Sequence, residues 1–134
     1  MFYEFAITVP HATLKLAPVT LELKLTAGTI QSVYVQFPPG CAGLVHCALL
    51  HQEHQLYPLN PDGDLAADGA IIPIEDESFD LGEPYALKFV GWSDDDTFAH
   101  VLRVRVSVIR PGELEAKTTW IGGLKNLLKL AGIG

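Results

Sequence analysis

From Val19 to Thr26 every odd-numbered residue is apolar and every even-numbered one polar, in the order Val19-Thr20-Leu21-Glu22-Leu23-Lys24-Leu25-Thr26. Successive side chains of an extended chain leave on opposite faces, so this period of two describes a β-strand with one dry and one wet face. The alternation returns late in the chain, where His100, Leu102, Val104, Val106 and Val108 interleave with Val101, Arg103, Arg105, Ser107 and Ile109. Arg103 and Arg105 mark the solvent side. A chain patterned this way at both ends is committed to sheets that bury one face, which means another layer must cover that face.

Further strands are expected at Phe2 to Val9, closed by Pro10, at Thr29 to Phe37, at Gln55 to Tyr57, at Ile71 to Ile74 and at Tyr85 to Trp92. Gly43 to His51 is more uniformly apolar, as befits a central strand covered on both faces. Pro73 cannot donate to a ladder, which points to an edge position for its strand. Ala27-Gly28 reads as the turn of a hairpin over residues 19–37. Ser93-Asp94-Asp95-Asp96 reads as the turn of a second hairpin, joining the strands at 85–92 and 100–109. Other turn signals are Pro38-Pro39-Gly40, Gln52-Glu53, Asn60-Pro61-Asp62-Gly63-Asp64 and Asp80-Leu81-Gly82-Glu83-Pro84. Their spacing of about ten residues suits an all-β, antiparallel β-sandwich or jelly-roll-like domain of seven or eight strands.

The length of 134 residues fits one domain, and a 49% hydrophobic fraction is ample for its core. Sixteen acidic against nine basic residues give a formal charge of −7, and such a surface repels phosphate backbones, arguing against nucleic acid as a partner. No stretch reaches the roughly 18 to 20 apolar residues that cross a bilayer. Glu4 interrupts MFYEFAITV where a signal peptide needs an unbroken apolar run, so the expectation is a protein made in the cytoplasm and not exported. Cys41 and Cys47, six apart on one extended segment, are too distant for a disulfide, which needs Cα atoms about 4.4–6.8 Å apart, and two buried free thiols are expected.

The pattern changes at Arg110-Pro111-Gly112, which divides a sandwich domain over 1–110 from a hinge and docking segment over 111–134. Trp120, Leu124, Leu127, Leu128 and Ala131 recur at spacings of three and four, the mark of a short C-terminal amphipathic helix, although Gly122-Gly123 weakens one continuous helix. So apolar a stretch calls for a cover. Folding back on its own domain is one solution and a groove on a neighbouring subunit is another, with Trp120, Ile121, Leu124, Leu127 and Leu128 as partner-docking anchors. A membrane surface is disfavoured, because only Lys125 and Lys129 would attract anionic lipid.

The polar clusters do not assemble into familiar chemistry. His46, Cys47, His51 and His54 have ligand-type side chains, but on a strand His46 and Cys47 face opposite ways, and a zinc site needs four converging ligands. In Asn60-Pro61-Asp62-Gly63-Asp64 the glycine is out of place for a calcium loop and Ile71 stands where a bidentate Glu belongs. Twelve carboxylates and one base, Lys88, lie between Glu53 and Asp96. Solvated loops account for them, and the alternative is a negative rim facing a basic partner, or calcium gathered by Glu75, Asp76 and Glu77 with Asp94 to Asp96. There is no Gly-x-Ser-x-Gly, no phosphate-binding loop and no activated Cys/His pair. No catalytic residue, metal or cofactor is therefore assigned, and the expectation is a non-enzymatic protein.

The aliphatic hairpins, the passages Gln36-Phe37-Pro38-Pro39-Gly40-Cys41-Ala42-Gly43-Leu44-Val45-His46 and His54-Gln55-Leu56-Tyr57-Pro58-Leu59-Asn60-Pro61, and the terminal peptide give the chain a likeness to a known group. Over residues 1–110 it resembles the small β-sandwich proteins of tailed-phage virions that decorate capsids or sit at their vertices. The resemblance implies a structural virion role, self-association into a homo-oligomer about a symmetry axis, and docking on a capsid or shell subunit through a terminal arm. It carries no functional residue across. Two other functions fit the same pattern: a carbohydrate-binding β-sandwich using exposed aromatics such as Trp92 and Tyr57, and a cargo or targeting protein of a protein shell.

Overall fold

Nine strands follow one another along the chain: β1 (Phe2–Val9), β2 (Val19–Lys24), β3 (Gly28–Phe37), β4 (Val45–His51), β5 (His54–Tyr57), β6 (Ala70–Ile74), β7 (Phe79–Leu81), β8 (Ala86–Ser93) and β9 (His100–Ile109). They come from a computed structural model that describes residues 1–75 and 78–111. The docking anchors Trp120, Ile121, Leu124, Leu127 and Leu128, with the C-terminal helix expected there, lie outside the described residues.

The architecture is all-β and consists of two antiparallel sheets. The first has the order β1-β9-β3-β6, with β7 also paired to β3, and the second has the order β2-β8-β4-β5. Eight of the strands lie where the sequence pattern predicts them, the long ones mostly from alternation and β4 from its near-continuous apolar run. The ninth, β7, is three residues long, too short for a period to show. It pairs with Gly28 to Ile30 while β6 pairs with Val33 to Phe37, so the two line the same edge of β3 in succession. Pro73 sits on β6 at the edge of its sheet, as its missing N–H requires.

Both expected hairpins are absent from the structure. β2 pairs with β8 in the second sheet, whereas β3 pairs with β9 in the first. The links from β2 to β3 and from β8 to β9 therefore pass from one sheet to the other. The physical reason is that alternation reports only which face of a strand is dry. Two strands joined by a hairpin and two strands facing each other across a core present the same pattern, because in both cases the apolar residues point at one shared interior. Gly28 is not the turn glycine of a hairpin. A Cβ there would lie 2.3 Å from the carbonyl oxygen of Ile109, so glycine is what lets β3 open tight against β9. Among the described residues the only consecutive strands that pair are β4 and β5, through the Gln52-Glu53 turn, with Gln52 at φ 56°.

Residues from both sheets enter one buried cluster. Ile7, Val33, Val35, Phe37, Leu102, Val104 and Val106 come from the first sheet, and Leu23, Val45, Cys47, Leu49, Leu87 and Phe89 from the second. Cys41 and Cys47 are both buried and both free thiols, as expected, but not on one extended segment: Cys41 lies in the turn before β4, its carbonyl accepting from Leu44 N at 2.8 Å. The outer face of the first sheet has a charged centre, with Phe2, Ile71 and Val101 also exposed on it. Glu4 meets Arg103 at 3.2 Å and Arg105 at 3.6 Å, and Arg105 donates to Gln36 at 2.8 Å. Pairs this exposed contribute about 0–1 kcal/mol each, so their main consequence is to keep that face wet.

Candidate docking surface

Three connections meet at one end of the molecule: residues 10–18 between β1 and β2, residues 38–44 between β3 and β4, and residues 94–99 between β8 and β9. Main-chain hydrogen bonds tie them together. Ala12 N donates to Asp95 O at 2.7 Å, Ser93 N to Thr13 O at 3.0 Å, and Asp94 N to Leu44 O at 2.8 Å. Loops bonded to one another in this way hold a fixed shape without a ladder of their own.

Side chains complete the bracing. Asp95 accepts from the amides of Thr97 (2.9 Å) and Phe98 (3.2 Å) through Oδ1, closing the turn ahead of β9. Its Oδ2 lies 2.7 Å from His100 Nε2, and both side chains are buried. The His100 hydrogen bond, with the two amides behind it, holds the Asp95 carboxyl below the usual carboxylate range. As an ionised carboxylate only accepts, Nε2 of His100 carries the hydrogen between them.

His46, on β4, bridges two loops. Its Nδ1 lies 2.7 Å from Asp64 and its Nε2 3.2 Å from Asp94. The ring stacks on Trp92 at a centroid distance of 5.5 Å, and Lys15 Nζ lies 5.2 Å from the Trp92 ring centre. The four ligand-type residues 46, 47, 51 and 54 do not converge. Cys47 points into the core, where burial, and secondarily the charge of Asp64, pushes its thiol pKa up. His51 turns to the carbonyls of Gly82 and Pro84, each at 3.1 Å. The true partners of His46 stand 18 and 48 positions away, and no local spacing could have announced them.

The 60–64 loop is closed by a Gly63 N to Asn60 O bond of 2.9 Å. Its interior is taken by the amide of Gln55, which donates to the carbonyls of Pro58, Asn60 and Gly63 at 2.8, 2.9 and 3.0 Å. Carbonyls that would face a cation face an amide. Among the described residues no group of three or more His, Cys, Asp or Glu side chains is placed to hold a metal ion. Asp76 and Glu77, part of the acidic alternative, lie outside the described residues. A shallow depression of about 330 Å³ on the second sheet, between Glu22, Lys88, Glu53 and Pro84, contains neither His nor Cys.

The braced end presents four large apolar side chains to water, beside the exposed His11, Lys15, Asp94, Asp96 and Thr97. Leu14 is 70% exposed, Leu16 98%, Leu44 38% and Phe98 66%. By contrast Trp92 and Tyr57, expected as exposed aromatics, are 8% and 4% exposed. Trp92 is covered by His46 on β4 and reached by Lys15 from the first loop, an arrangement only the tertiary structure creates. No helix among the described residues is long and apolar enough to cross a membrane.

Fold and surface together define a class: a two-sheet all-β protein with one apolar, loop-built end. No protein-family model and no curated protein matches its sequence.

Proposed function

We propose that this chain is a non-enzymatic assembly protein, a component of the virion of a tailed phage that oligomerises and docks on a capsid or shell subunit through residues 111–134. In this proposal the two sheets form a jelly-roll-like sandwich, the C-terminal segment is a short amphipathic helix, and Trp120, Ile121, Leu124, Leu127 and Leu128 are its anchors. The observation that carries it is the braced end. Four large apolar side chains are left in water on loops that share backbone hydrogen bonds and a buried Asp95–His100 pair. Exposed apolar residues on ordered loops are what protein contacts use. A lectin-like alternative needs an aromatic platform in solvent, and the burial of Trp92 and Tyr57 takes away the one named for it.

Removal of residues 111–134 tests the proposal. The shortened chain should keep its β-sheet circular dichroism and a cooperative melt while losing the assembled species in sedimentation velocity. A shortened chain that unfolds, or one that still assembles, overturns it.

A further inference from the structure

We propose that the apolar end carrying Leu14, Leu16, Leu44 and Phe98 is the receptor for residues 116–134 of a second copy of this chain, so that copies join head to tail. The inference rests on the proposal that the C-terminal segment docks, and it adds what the segment docks on.

β9 enters at His100, paired with Val9 and bonded to the braced loops, and leaves at Ile109, paired with Thr29. Ten extended residues at about 3.3 Å each separate those points by roughly 30 Å. The segment thus departs from the end of the molecule opposite the apolar patch. Trp120 stands nine residues beyond Pro111, and nine residues span about 30 Å only when fully stretched. Trp120 could reach its own patch only on a taut chain, and Leu124, Leu127 and Leu128, 13 to 17 residues beyond Pro111, could reach it with slack, whereas the patch of a copy stacked below lies at the point of exit for every anchor.

All 16 acidic residues and six of the nine basic ones fall in residues 1–115, a balance of −10, while residues 116–134 carry Lys117, Lys125 and Lys129 with no acid, a balance of +3. The two sum to the −7 of the whole chain. Asp94 and Asp96 stand exposed beside Phe98, and Lys15 is the lysine at that end, its ammonium directed over Trp92. An apolar, cationic segment and an apolar, anionic patch are complementary in both respects. A contact between unlike surfaces is heterologous, and it builds a ring if the rotation closes or a filament if it does not.

The test uses the full chain. Leu16→Ser with Phe98→Ser alters two solvent-exposed side chains, so the melt should stay unchanged while sedimentation velocity shifts from assembly to monomer. Trans contact is read by mixing a Phe98→Cys preparation with a Leu127→Cys preparation under mild oxidation, which should give a disulfide-linked pair of chains. If the serine variant assembles like the parent while the chain shortened by residues 111–134 does not, this receptor is wrong and segment docking stands. If the shortened chain assembles as well, docking itself fails. A Phe98→Cys, Leu127→Cys double variant that links only within one chain, independently of concentration, overturns the head-to-tail arrangement, as does a full-length protein that is monomeric at every concentration.

Discussion

Asp95 uses both carboxyl oxygens, one for the amides of Thr97 and Phe98 and the other for His100. Because the folded state depresses its pKa below the unfolded value of about 3.9, the carboxylate adds stability that is complete above that value. That stability is lost as pH falls through the lowered folded pKa. Asp95→Asn should therefore melt lower than the parent at pH 7 and approach it as the medium is acidified below about pH 4. Melting curves between pH 2 and 7 check this, and parallel curves would refute it. The two thiols make a second residue-scale prediction. Cys41 and Cys47 are fully buried and the pKa of each is raised, mainly by desolvation, so neither has thiolate to offer. A thiol reagent at pH 8 should label neither in the native protein and both after denaturation.

β3 begins in close contact with β9. Gly28→Ala would put a Cβ against the backbone oxygen of Ile109, and backbone at that point cannot rotate away as a flexible side chain can. A cost of about 1–3 kcal/mol is expected, the range for overpacked sites, and urea denaturation should report it as a lower midpoint with an unchanged slope. The same glycine shows what element-level reading of the sequence could and could not reach. Ala27-Gly28 was recognisable as a break between two alternating runs, but the reason for glycine lay 81 positions away at Ile109. Pro73 on an edge and the Gln52-Glu53 turn were legible because each depends on local chemistry alone, a missing N–H in one case and a two-residue connection in the other. The pairing of β2 with β8 and of β3 with β9 depends on nothing local.

For the whole molecule, the charge asymmetry between residues 1–115 and 116–134 makes assembly sensitive to salt. Raising sodium chloride from 0.1 to 1 M shortens the screening length from about 10 to about 3 Å and should weaken association of the full chain, while the melt of the shortened chain changes little. Sedimentation at the two salt concentrations measures it, and assembly indifferent to salt would mean that apolar contact alone holds the copies. The sequence by itself determined the all-β class, the strands with a dry face, the edge proline and the free thiols. Each of these follows from side-chain direction or backbone chemistry within a few residues. Only the tertiary structure decided which sheet each strand joins, that Trp92 is covered, that His46 bridges Asp64 and Asp94, and that Leu14, Leu16, Leu44 and Phe98 share one end. Those outcomes depend on partners brought together across the core, and a one-dimensional pattern holds the polarity of each strand but not the identity of its neighbours.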